Sequence, residues 1–275
     1  MTYETLVVPP QAESTPPESP GLSAEPTPAN DDAEIAAAQQ RIRVYAFHQA
    51  WKTAQEQASD ERYREALLAL SPFYNDTAIA ADEHEQLVGW LDALAAKVVY
   101  STEHLLEPAY VVSRNETLFT ISEKYRVPYP LLKNINGVRD PNLLIAGTKL
   151  KVVPGPFHAE VDLARQEITV FVQNLYAGRF AFTRGDEPVR AGEYTVLSMD
   201  LKKNYAGVQG VIPANDPRNP YGGVWANLGN EVSIHGSPAE AYSGQKLGCI
   251  GLAQRDAEDL LAILSIKESR VTVKE

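Results

Sequence analysis

The chain holds one cysteine, Cys249, in the run Leu247-Gly248-Cys249-Ile250-Gly251-Leu252, and a histidine upstream in Val232-Ser233-Ile234-His235-Gly236-Ser237. A thiol becomes a nucleophile as its thiolate, an imidazole can generate that form, and small neighbours let a carbonyl approach closely. His235 and Cys249 stand 14 residues apart, too far for one helical face. The spacing suits two strand ends joined by a loop that brings the pair together. A free cysteine is among the most buried residue types, so plain packing is the competing reading. The glycines around Cys249 favour the chemical one.

The elements that would position this pair read as a mainly β domain over 155–275. Pro156–Leu163 opens a strand, and Gln166–Val172 alternates as a second. Gly178–Gly185 continues a hairpin, Val189–Val196 adds a further segment, and one helix is expected over Asp256–Leu264. Together with His235-Gly236-Ser237 and Gly248-Cys249-Ile250, this text resembles the catalytic core of the YkuD-type L,D-transpeptidases, cysteine enzymes of bacterial peptidoglycan, over about 156–275. The resemblance implies a cysteine acyltransferase. Cys249 attacks the stem tetrapeptide, with His235 as base and a Gly236 or Ser237 carbonyl orienting the imidazole. The Gly248 and Cys249 N–H groups, with Leu247 N–H a further candidate, would face the oxyanion. D-Ala leaves and a neighbouring stem amine resolves the thioester.

Three positions depart from the family pattern: Lys246 where a serine is usual, Leu247 where a polar residue is, and Gly251 in place of an arginine. Glycine cannot offer a carboxylate the bidentate fork that arginine does. Ser237, Lys246, Leu247, Tyr221 and Trp225 are the expected substrate contacts; either aromatic equally suits a cap on the core. An L,D-carboxypeptidase and a catalytically weak wall-binding protein are the alternatives. Neither a metal nor another cofactor is expected.

Residues 108–154 carry a second pattern. Tyr110-Val111-Val112 reads as a strand, Glu116–Tyr125 as a helix, and Pro130–Asn136 as a second helix closed by Gly137; Asn142–Val152 supplies a turn and closing strand. This βααβ text resembles a lysin motif (LysM) module. The resemblance implies binding of N-acetylglucosamine-containing glycans near Asn115, Thr117, Leu118, Asn142, Leu143 and Ile145.

The rest is organisational. Residues 1–30 hold seven prolines among Glu, Ser, Thr and Ala and read as a disordered tether. Residues 31–107 read as helical, capped at Asn30-Asp31-Asp32, with Ile35, Ile42, Val44, Tyr45 and Phe47 on the apolar side of the first helix. They resemble tetratricopeptide-like hairpins in part, but a repeat array needs about three copies, so a small bundle is preferred. The fold class is thus multidomain α+β. The net charge of −11 and the lack of a basic stripe argue against nucleic acid, leaving peptidoglycan, glycan strand and stem peptide, as the expected partner. No 18-residue apolar stretch exists to span a membrane. Met1–Pro10 lacks the basic and apolar regions of a secretory leader. The expected substrate still implies the cell envelope, so an anchor ahead of this sequence is expected.

Overall fold

The structure, a computed structural model, describes residues 28–141, 144–185, 188–207, 210–237 and 250–275. The expectation for residues 1–27 lies outside them. The described residues divide into two units, one ending at Ile42 and the other running from Arg43 to Glu275.

The first helix, α1 (Pro28–Ser59), begins two residues ahead of the expected Asn30 cap. Proline suits a first turn, and no glycine or interior proline interrupts the alanine-rich run. The expected apolar face is corrected: Ile35, Ile42 and Tyr45 are 55%, 66% and 67% exposed, whereas Phe47 is buried. At 3.6 residues per turn, Phe47 points about 120° away from Ile35. The seam in use is Phe47, Trp51 and Ala54, spaced i, i+4, i+7.

In the larger unit the chain reverses where Glu61 takes φ 60°, and α2 (Tyr63–Leu70) follows. A single 3₁₀ turn (Ser71–Phe73), α3 (Ala81–Ala95) and a short π-helical extension (Ala96–Tyr100) complete the helical region. Next come β1 (Tyr110–Val111), α4 (Leu118–Tyr125), α5 (Tyr129–Ile135) and β2 (Lys149–Leu150), the expected βααβ order with β1 and β2 antiparallel. A capping box starts α4: Thr117 Oγ1 accepts from Thr120 N at 3.2 Å, and Thr120 Oγ1 accepts from Thr117 N at 3.1 Å. Asn136 locks the closure, its amide donating to Leu132 O and Lys151 O and accepting from Lys151 N.

The remaining strands are β3 (Phe157–Asp162), β4 (Glu167–Val172), β5 (Leu175–Arg184), β6 (Gly192–Thr195), β7 (Ser198–Asp200), β8 (Tyr205–Gly207), β9 (Gly210–Ile212), β10 (Trp225–Gly229), β11 (Val232–Gly236), β12 (Ile250–Leu252) and β13 (Arg270–Lys274), with α6 (Gln254–Ile263) before the last. Among the described residues, nine of them form one sheet in the order β6-β13-β3-β4-β5-β12-β11-β10-β7, while β8 and β9 pair separately. Alternation makes the strands: in β3, Phe157, Ala159 and Val161 are buried and their neighbours half-buried. β11 and β12 are parallel, with Ile234 opposite Ile250 and His235 opposite Gly251.

Helices brace this sheet. α3 packs on β5, and α6 packs on β11 and β12. Tyr176 N donates to Ser71 Oγ at 2.9 Å, Tyr100 Oη donates to Ala177 O at 2.7 Å, and the buried Lys151 ammonium donates to Val98 O at 2.6 Å. Buried groups so matched are costly to expose unpaired, so these bonds fix the helical region, the βααβ module and the sheet against one another. No helix among the described residues is long and apolar enough to cross a membrane.

Candidate active site

His235 is buried at 1% exposure in β11, the central strand of a triplet with β10 and β12. Its Nδ1 lies 2.7 Å from Gly236 O. A carbonyl only accepts, so Nδ1 carries the proton and Nε2 holds the lone pair in the neutral ring. Ser237 Oγ lies 3.5 Å from Nδ1, at the edge of hydrogen-bond range, and Ser237 N donates to Leu252 O at 2.7 Å. The imidazole orientation is therefore set by the next residue in its own strand.

Gly251 makes room for this arrangement. A Cβ there would sit 2.5 Å from Ser237 Oγ and 3.2 Å from His235 Cε1. The position that departs from the family arginine is thus one where the imidazole and the Ser237 hydroxyl occupy the side-chain space.

Tyr221 meets the His235 ring edge-on, at 5.2 Å between centroids and 61°, and Tyr205 meets Tyr221 at 5.3 Å and 82°. Trp225 is the direct cross-strand partner of His235 and carries the Lys203 ammonium 4.3 Å from its ring centroid. The structure therefore gathers His235, Gly236, Ser237, Tyr221 and Trp225. Lys246, Leu247, Gly248 and Cys249 lie outside the described residues, though Ile250, bonded to Cys249, pairs with Ile234 one position from His235.

The loop before β10 owes its shape to residues that sequence reading passed over. Asn219 is fully buried; its Nδ2 donates to Lys203 O at 2.9 Å and Pro213 O at 3.1 Å, and its Oδ1 accepts from Tyr221 N at 2.9 Å. An Asn followed by Pro-Tyr-Gly-Gly is the signal that could have exposed it. Asp216 is gripped by the Arg218 guanidinium at 2.7 and 3.0 Å, which holds its carboxyl down to about 2. Gln254, at the start of α6, buries its Oε1 against Gly222 and Gly236, where a Cβ at Gly236 would lie 2.6 Å from it. A cavity of about 830 Å³ opens against this loop, lined by Asn204, Gly222, Gly223, Val224, Gln254 and Glu258 among others.

In the βααβ module Asn115 and Thr117 are exposed and Ile145 is 73% exposed, but Leu118 is fully buried. Leu118 is the first residue of α4 and points into the module's own core, so its side chain belongs to packing rather than to a surface groove. Asn142 and Leu143 lie outside the described residues. Among the described residues, no three His, Cys, Asp or Glu side chains converge as metal ligands.

Residues 110–153 match the family model of the LysM domain. Comparison with curated proteins gave no match. Among solved structures the chain is similar to an L,D-transpeptidase from Mycobacterium smegmatis, at 20% identity over 48% of this chain and 65% of that one, with a TM-score of 0.34. It is also similar to an L,D-transpeptidase from Mycobacterium tuberculosis H37Rv (19%, 47% and 63%, TM-score 0.35) and to a mutant L,D-transpeptidase of Enterococcus faecium (19%, 50% and 56%, TM-score 0.35). The chain thus spans less than two thirds of each of these proteins.

Proposed function

We propose that this protein is a peptidoglycan L,D-transpeptidase in which Cys249 is the nucleophile and His235 the base. One observation carries the reading: the buried imidazole is held by a 2.7 Å contact from Nδ1 to Gly236 O, in a strand that pairs with the residues directly following the chain's only cysteine. A backbone carbonyl in this role leaves Nε2 to take the thiol proton and later give it to the leaving amine, as a third group does in other nucleophile–base pairs.

The thiolate attacks the carbonyl before the terminal D-Ala, the tetrahedral oxyanion collapses, and D-Ala leaves with the proton from His235. An acceptor amine then attacks the thioester, forming the new amide and releasing Cys249. Backbone N–H groups of Gly248 and Cys249 are the oxyanion donors in this scheme. Tyr221 and Trp225 wall the site, while Ser237, Lys246 and Leu247 contact the stem. The LysM domain holds glycan through the surface around Asn115, Thr117 and Ile145, with Asn142 and Leu143 as further contacts, and the enzyme works in the cell envelope.

Incubation with a disaccharide–tetrapeptide muropeptide, followed by mass spectrometry, tests the proposal. A cross-linked dimer lacking one D-Ala, abolished by Cys249→Ala and by His235→Ala, is expected. Tripeptide without dimer makes the protein a carboxypeptidase, and Cys249-independent products refute the mechanism.

A further inference from the structure

Beside His235 the fold holds a cation for which the scheme above has no task. β10 and β11 set Trp225 directly opposite His235, so both side chains rise from one face of the sheet. The Lys203 ammonium lies 4.3 Å from the centre of the Trp225 ring. Its backbone is held at both ends: Lys203 N donates to Gly223 O at 2.8 Å, and Lys203 O accepts from the buried Asn219 amide at 2.9 Å.

Neighbouring carboxylates form no ion pair with this ammonium among the described residues. Asp200, on the far side of Trp225 in β7, accepts from Lys202 N at 2.9 Å, and Asp216 is taken by Arg218. Among the described residues, Lys203 Nζ makes no ion pair or hydrogen bond, and its one contact of this kind is the indole face. An ammonium so placed keeps N–H donors for an anion, while the ring fixes its position and lowers its exposure to water.

The other neighbour of His235 in this row cannot supply a charge. Gly251 pairs with His235 from β12, and the imidazole and Ser237 hydroxyl fill the space its side chain would take. Thr183 follows Gly251 in β5 and is neutral. The row Trp225–His235–Gly251–Thr183 holds no lysine or arginine of its own, and the Lys203 ammonium lies against its Trp225 end.

We propose that Lys203 and Trp225 form an anion subsite beside His235 that binds a carboxylate of the acyl-donor peptide. The ammonium donates to the carboxylate, and the indole packs against the alkyl group next to it. This inference rests on the acyl-transfer reading, and it deepens that reading by naming the donor-side anchor. Two carboxylates could fill the subsite, the C-terminal one on the leaving D-alanine or one within the peptide.

The test measures Kd by calorimetry for the full chain carrying Cys249→Ala, which blocks turnover, with and without Lys203→Gln or Lys203→Arg. The probes are the disaccharide–tetrapeptide muropeptide and its C-terminally amidated form. Loss of a charge-assisted bond at this half-exposed position raises Kd about tenfold in Lys203→Gln, and Lys203→Arg largely restores binding. Far-UV circular dichroism and thermal unfolding establish that both variants are folded. A Lys203 effect that vanishes on amidation assigns the C-terminal carboxylate; one that persists assigns an internal carboxylate. An unchanged Kd in Lys203→Gln, or no muropeptide binding at all, overturns the subsite. Turnover by the Cys249-intact protein is scored separately: its absence alongside Lys203-dependent binding refutes the transpeptidase reading and leaves the subsite standing.

Discussion

Gly251→Ala tests the geometry of the site with one methyl group. The added Cβ would lie 2.5 Å from Ser237 Oγ and 3.2 Å from His235 Cε1. Ordinary contact begins near 3.4 Å, so the hydroxyl must give way by about 0.9 Å and the ring by about 0.2 Å. The strand cannot slide aside, because β12 is paired on both edges, to His235 in β11 and to Thr183 in β5. Ser237 can rotate its hydroxyl away, but its N–H stays bonded to Leu252 O, and so the adjustment falls partly on the imidazole. The backbone at Gly251 lies outside the left-handed region, so any loss is steric. Overpacking of this kind costs about 1–3 kcal/mol of stability. Misplacing a catalytic group by about 1 Å costs about 10²-fold in rate, so an imidazole displacement of about 0.2 Å should lower kcat by about 2.5-fold. The assay pairs muropeptide turnover with urea unfolding of the same preparation. A variant with wild-type kcat and wild-type stability would refute the claim that the imidazole and Ser237 fill the Gly251 space.

Gly89 lies in α3 with nothing within 4 Å of its would-be Cβ. Gly89→Ala should therefore stabilise the protein by about 0.5–1 kcal/mol in urea unfolding without changing turnover. Burial holds the Lys151 amine down to about 8 from its ordinary 10.5. Between those values the unfolded chain binds the extra proton, so unfolding free energy should rise from pH 8 toward 10.5 by more in the wild type than in Lys151→Met. Parallel slopes in chemical denaturation across that range would contradict the assignment.

Much of the architecture was legible because local chemistry marked it. Gly137 marks the stop of the second helix, as read, while the first starts at Leu118 behind a Thr117 cap rather than at the expected Glu116. Alternation in 157–172 gave both strands of the β3–β4 hairpin, and of the pair 14 residues apart, His235 lies near the end of β11 while Cys249 lies outside the described residues. The first helix was misread because an alanine-rich run carries little amphipathic contrast; the few large apolar residues then suggested a face that leaves Ile35 and Ile42 in water.

Lys203, Asn219 and Gln254 escaped the sequence reading for a different reason. They act from loops whose path depends on side chain–backbone bonds across 16 positions, as from Asn219 to Lys203, and on Gly222 and Gly223 at φ +55° and +80°. No periodicity records such contacts. The burial of Leu118 was equally hidden, since its place in the family motif says nothing of which way it faces.

The central claim is acyl transfer through Cys249, and the acyl-enzyme is its most direct witness. Protein mixed with a tetrapeptide muropeptide in the absence of an acceptor amine should be acid-quenched within seconds and weighed intact. The account predicts a mass increase equal to the donor less D-Ala, located on the Cys249 peptide after digestion and absent from Cys249→Ala. D-Ala release with no adduct on Cys249 at any quench time, or an adduct on another residue, would contradict it.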